Sequence, residues 1–202
     1  MTSIEYYFSL NSPWTYLGSA RLQAIAAKHK ATIIVKPARF GIIFEQTGGL
    51  PLPKRSPARQ AYRLMELKRW RDYLGIPITI QPKGFPSDEV AATRLVIAAA
   101  QQGRNALGFA HELGRGLWEL EKTLSDPADI AAAAQRCGLD LAAVQAATVP
   151  DAALDKIWEQ NTADGLARGV FGAPAYVLPS GEIFWGQDRV EFLERAVAKM
   201  SA

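Results

Sequence analysis

The chain has 202 residues, 49% hydrophobic and 21% charged, with 23 Lys and Arg against 20 Asp and Glu; this predicts one folded unit with a substantial core and excludes a disordered chain. A lone cysteine and two isolated histidines, His29 and His111, exclude a disulfide framework, a C-x-x-C redox pair and a thiolate-rich zinc site, so no metal is expected. Met1 to Glu5 carry no positive segment and no run approaches the roughly 18 apolar residues of a membrane span, so a cytoplasmic protein outside the membrane is expected.

Ile4, Tyr6, Phe8 and Leu10 alternate with Glu5, Tyr7 and Ser9, which predicts an opening strand that ends at Asn11. Ser12-Pro13 reads as an N-cap with proline at the first helical position, and Leu17, Leu22, Ile25 and Ala26 give that helix an apolar face as far as Lys28-His29-Lys30. Thr32 to Val35, closed by Pro37, is a second strand, so the first forty residues form a β-α-β unit. Gly41 to Pro57, rich in Gly and Pro, is read as a loop.

Ser56 to Tyr73 reads as a helix with Tyr62, Leu64, Met65, Leu67 and Trp70 as its apolar residues. Lys54, Arg55, Arg59, Arg63, Lys68, Arg69 and Arg71 crowd this stretch, opposed only by Glu66. Such a cluster is either a solvated face or a field that draws a small anion into a cleft. With a net charge of only +3 and no recognised module around it, nucleic acid is not expected as a partner.

Helices then follow without a strand between them. Ser87-Asp88-Glu89 opens an Ala-rich one that runs to Gln102, and Asn105 to Lys122 is the next. Asp126-Pro127 caps another that stops at Gly138, with Cys137 read as a small buried hydrophobe. Leu141 to Ala147 and Asp151 to Arg168 complete the series. The period returns to two at Ala175 to Leu178 and Glu182 to Trp185, joined by Pro179-Ser180-Gly181 as a hairpin, and a last helix spans Arg189 to Met200. The fold class is α/β: residues 1–40 and 169–202 form the strand-bearing unit, and residues 41–168 a connecting loop and all-helical insertion.

Two constellations sit at strand termini. At Asn11-Ser12-Pro13-Trp14 a hydroxyl lies where strand gives way to helix, under unpaired backbone N–H groups and the positive end of a helix dipole. It can serve as a cap, as an anion contact, or as both. At Gly169-Val170-Phe171-Gly172-Ala173-Pro174 a proline directly precedes a strand, a place where a cis X-Pro bond is one of two options.

With these motifs in this order the chain resembles the thioredoxin superfamily, in the DsbA-like branch of kappa-class glutathione transferases and 2-hydroxychromene-2-carboxylate isomerases. The resemblance rests on Phe8 to Leu17, Gly41-Ile42-Ile43-Phe44 with Thr47-Gly48-Gly49, Leu67-Lys68-Arg69-Trp70 with Gly75-Ile76-Pro77, Gly169 to Pro174, and Trp185 to Arg189. It implies a thioredoxin-like fold, glutathione as cofactor, a homodimer, and Ser12 where redox relatives carry an attacking cysteine. The Ser12 hydroxyl would hydrogen-bond the sulfur of glutathione, and the ligand's own thiol would be the nucleophile. A free thiol is only about 3% thiolate at pH 7, and lowering its pKa by two units needs about 2.7 kcal/mol. A hydrogen bond to a charged sulfur contributes roughly 1.5–3 kcal/mol, and a helix N-terminus about 0.3–1 kcal/mol.

The resemblance further implies that the backbone of Ala173, before Pro174, pairs with the cysteinyl segment, that the N–H groups of Gln187 and Asp188 take the γ-glutamyl carboxylate, and that the Asp188 carboxylate takes its ammonium. Trp185 and Gly186 would shape the approach. Two features weigh against individual assignments: Asp188 also reads as a plain N-cap, and Trp185 as a core aromatic. Where relatives carry an asparagine before the basic helix, this chain has Leu52-Pro53-Lys54, and Lys54 offers no acceptor. The expected activity is glutathione-dependent isomerisation of a small anionic aromatic substrate; kappa-type conjugation and a non-catalytic binding module are the alternatives. Tyr62, Trp70 and Phe85 are candidates for the substrate-pocket lining.

Overall fold

The computed structural model describes residues 2–201. Strand β1 (Ser3–Phe8) lies parallel to β2 (Thr32–Pro37), with Ile4 opposite Ile33 and Tyr6 opposite Val35. A parallel pair needs a crossover, and helix α1 (Pro13–His29) supplies it. Strand β3 (Ala175–Val177) runs antiparallel to β1, and β4 (Ile183–Trp185) antiparallel to β3, giving the order β2-β1-β3-β4. The β3–β4 pair needs only a turn: Gly181 at φ +87° donates its N–H to the Leu178 carbonyl at 2.8 Å. This is the thioredoxin-like sheet that the resemblance implies.

The remaining helices are α2 (Phe40–Thr47), α3 (Pro57–Leu74), α4 (Val90–Gln101), α5 (Ala106–Trp118), α6 (Pro127–Arg136), α7 (Leu141–Ala146), α8 (Asp151–Ala167) and α9 (Val190–Ser201). The period of two in β1 divides its side chains between two cores. Ile4, Tyr6 and Phe8 join Leu17 and Leu22 of α1, Tyr176 of β3, and Leu193 and Val197 of α9. Tyr6 stacks between Phe8 at 4.6 Å and Tyr176 at 5.4 Å. Tyr7 points the other way and packs with Phe40, Ile43, Val170, Ala175 and Val177. The first core continues without a break into Val96 of α4, Phe109 and Leu117 of α5, Ile130 of α6 and Val144 of α7.

Four predicted boundaries move. The segment read as a loop over Gly41 to Pro57 contains α2 and a 3₁₀ turn at Leu52–Lys54, because Phe40, Ile43 and Phe44 form an i, i+3, i+4 stripe that docks under Tyr7. Strand β1 stops at Phe8, since Ser9 to Ser12 turns, with the Ser12 N–H on the Ser9 carbonyl at 3.1 Å. Helix α4 opens at Val90 and not at Ser87, because the Ser87 hydroxyl accepts the Leu124 N–H and the Glu89 carboxylate is taken up elsewhere. Helix α5 stops at Trp118, where Glu121 adopts φ +52° and the Lys122 N–H closes onto the Gly116 carbonyl at 2.9 Å.

Candidate active site

The end of β1 and the start of α1 place Ser12. Its φ of −82° and ψ of 121° are extended, and its Oγ accepts the Thr15 N–H at 3.3 Å, so the cap read from the sequence is formed. Accepting that bond leaves the hydroxyl proton available to an acceptor outside the helix. The turn before it is braced from α4: the Glu89 carboxylate accepts the Ser9 hydroxyl at 2.9 and 3.0 Å and the Asn11 N–H at 3.0 Å. Asn11 and Ser87 add a reciprocal pair, side-chain amide to carbonyl and N–H to side-chain oxygen, each at 2.9 Å. Burial raises the Glu89 carboxyl above the ordinary carboxylate range, against the pull of its Ser9 and Asn11 donors.

Ser12 opens on a cleft of about 480 Å³, lined also by Phe44, Phe85 and Phe171. The cleft continues into a groove of about 490 Å³ that carries Tyr62, Trp70 and Gly186 to Arg189. Trp14, Ala173, Trp185 and three arginines, Arg55, Arg59 and Arg63, border both sections.

On the sheet side, the Ala173–Pro174 bond is cis, and the Pro174 carbonyl accepts the Gly186 N–H at 2.8 Å. Among the described residues nothing takes up the Ala173 N–H or carbonyl, so this backbone faces the cleft with its polar groups free. Trp185 is 51% exposed and meets Phe171 at 4.8 Å, which makes it a wall of the cleft and not a core aromatic. The Trp185 indole lies directly over Gly172, where a Cβ would displace it. Gly186 turns the chain at φ +96° into a 3₁₀ turn, Gln187–Arg189, that leads into α9. Gln187 is buried, with its backbone and side-chain carbonyls both accepting from Arg21 at 2.9 and 3.0 Å. The backbone N–H groups of Gln187 and Asp188 find no acceptor among the described residues. Asp188 caps nothing with its side chain and pairs with Arg189 at 2.8 Å.

The opposite wall is α3. Lys54 is exposed and does not line either section, and Arg55 takes that place, its Nε on the Leu50 carbonyl at 2.8 Å. Arg63 lies with its guanidinium 5.4 Å from the Phe85 ring centre and 5.8 Å from that of Trp118. Burial, and secondarily Arg55, holds its pKa down to about 10. Tyr62 and Trp70 line the groove and Phe85 the cleft. The arginine charges were visible as the basic cluster; the Ser9–Glu89 and Asn11–Ser87 braces were not, because they join residues more than seventy positions apart. Cys137 is half-buried at the end of α6, its thiol donating to the Ala134 carbonyl at 3.2 Å and pushed up in pKa by burial. Among the described residues, no group of His, Cys, Asp or Glu could hold a metal ion, and no helix is long and apolar enough to cross a membrane.

A thioredoxin-like sheet, a cis-proline loop facing the first helix, and a serine at that helix's N-cap define a non-dithiol member of the thioredoxin class. The family model for the DSBA-like thioredoxin domain matches residues 3–198, and the chain belongs to that family. The chain is 27% identical to 2-hydroxychromene-2-carboxylate isomerase of Pseudomonas putida over 203 residues, covering 98% of this chain and 95% of the relative. It is also 27% identical to glutathione S-transferase kappa 1 of Homo sapiens, over 95% of this chain and 88% of the relative. A solved 2-hydroxychromene-2-carboxylate isomerase superimposes with a TM-score of 0.77 at 23% identity, covering 98% of this chain and 95% of that one.

Proposed function

We propose that this chain is a glutathione-dependent isomerase that interconverts 2-hydroxychromene-2-carboxylate and trans-o-hydroxybenzylidenepyruvate in the cytoplasmic breakdown of aromatic compounds. The observation that carries the reading is Ser12: a helix-capping hydroxyl with a free proton, at the mouth of a cleft lined by aromatic rings and cations. Two of the relatives, named 2-hydroxychromene-2-carboxylate isomerase, support the choice of substrate class.

The free backbone of Ala173 is the fit test for glutathione, because a peptide-like ligand needs an edge to pair with and this segment has unspent N–H and carbonyl groups. Ala173 and Pro174 would hold its middle, Gln187 and Asp188 its amino-acid end, and Trp185 and Gly186 would bound it. When bound, glutathione supplies a thiol nucleophile to a cleft whose lining residues include no cysteine. Ser12 donates its hydroxyl proton toward the place where negative charge is needed, and the N-terminus of α1 adds its dipole. Neither step ionises the serine, so no histidine base beside it is required. The cations of α3 attract and orient an anionic aromatic substrate, and the rings of Phe44, Phe85 and Phe171 exclude water from it. Residues 1–40 and 169–202 would thus serve as the thioredoxin-like unit that holds glutathione, with 41–168 shaping the substrate side, in a homodimer as the resemblance implies.

A spectrophotometric assay with the chromene tests the reading. Turnover that requires glutathione and regenerates it supports the isomerase; a rate indifferent to glutathione discards it. The equal identity to a kappa-class transferase favours one second reading, conjugation of glutathione to an electrophile, which would show as an adduct accumulating in the mass spectrum.

A further inference from the structure

Three arginines border the cleft, and they are not equivalent. Arg59 is exposed at the rim, and Arg55 spends its Nε on the Leu50 carbonyl. Arg63, one turn beyond Arg59 on α3, is half-buried, and its guanidinium lies against the rings of Phe85 and Trp118. Among the described residues no carboxylate pairs with it, although the two arginines that lie beyond it on α3, Arg69 and Arg71, each have a carboxylate partner. A cation withdrawn from water and left without a counter-charge is costly unless something brings one. Here the charge faces the cavity that also contains Ser12.

We propose that Arg63 binds the carboxylate of the second, aromatic substrate and so is a specificity-determining residue of the cleft; the inference rests on the glutathione-dependent reading above. A guanidinium presents two parallel N–H groups to a planar carboxylate, a match that a lysine ammonium does not offer. Of the two rings against Arg63, Trp118 is buried and packs behind Phe85, and Phe85 borders the cleft as an apolar surface on which an aromatic acid can lie. The groups fitted to glutathione, Ala173, Gln187 and Asp188, come from the sheet side and the turn before α9, whereas Arg63 comes from α3. Charge and ring therefore select the substrate separately from the peptide.

Calorimetric titration of the whole protein with cinnamate and with methyl cinnamate tests this, in the wild type, Arg63→Met and Arg63→Lys. Cinnamate is expected to bind Arg63→Met about ten-fold or more weakly than the wild type, while the ester binds both alike. Arg63→Lys, which keeps the charge, keeps a reduced preference for cinnamate over the ester and provides the reading if Arg63→Met does not fold. Separate titrations with glutathione are expected to agree between wild type and variants within about two-fold. Equal cinnamate binding in all folded forms, a loss shared by the ester, or a parallel loss of glutathione affinity overturns the assignment. A wild type that prefers cinnamate but binds no glutathione sinks the isomerase reading and leaves the role of Arg63 standing, so the two failures are distinct.

Discussion

At the scale of single residues, Ser12 carries two duties that substitution can separate. Its oxygen caps α1, and its proton is free for a ligand. Ser12→Ala is expected to cost about 1 kcal/mol of stability through the lost cap, and to slow turnover roughly 10- to 100-fold through a lost hydrogen bond to charged sulfur. Ser12→Gly retains most of the cap's benefit, since glycine at an N-cap costs only a few tenths of a kcal/mol, yet it lacks the hydroxyl and should be as slow as the alanine variant. Urea unfolding and steady-state rates on the two variants check both halves: a glycine variant of wild-type rate would show that Ser12 is only a cap. The Ser12 cap was legible in the sequence because a serine directly before a proline follows soon after a run of period two. The burial of the Gln187 side chain was not legible, because it depends on Arg21, far away in sequence.

Among elements, the contact between the β1–α1 turn and the start of α4 is where pH should act. Burial raises the Glu89 carboxyl, so the folded state favours its protonated form more than the unfolded chain does. A carboxyl raised in this way contributes stability at low pH, and the contribution fades as pH rises through its folded pKa. Glu89→Gln removes the titration, so the stability difference, wild type minus variant, should fall as pH climbs from the ordinary carboxylate range upward. Denaturant titrations at several pH values read this directly; a difference that rises with pH would mean that the Ser9 and Asn11 donors outweigh burial. The same region shows why parts of the fold were hidden. Helix α2 was masked by Gly41, Gly48 and Gly49, although Phe40, Ile43 and Phe44 had helical spacing. Ser87 and Glu89 look like caps in isolation but spend their side chains on Leu124, Ser9 and Asn11, a choice made by tertiary packing that no local pattern records. The hairpin, by contrast, was readable from period two around a Pro-Ser-Gly turn.

For the molecule as a whole, the continuous core from Ile4 through Val96 to Val144 predicts that sheet and helices unfold together. Phe109→Ala, a fully buried ring on α5, should cost about 3–5 kcal/mol and shift one cooperative transition, with far-ultraviolet circular dichroism and tryptophan fluorescence still coincident. Two separated transitions would show that the helices are held independently of the sheet. That common core fixes the two walls of the cleft against each other: Ser12 and Ala173 on one side, the arginines of α3 on the other. The most direct measurement of the proposed chemistry is the thiolate absorbance of glutathione bound to the intact protein, followed as pH is varied. The account predicts that the bound thiol ionises about two units below a free one, so that it is mostly thiolate at pH 7; a bound thiol that titrates like free glutathione would contradict it.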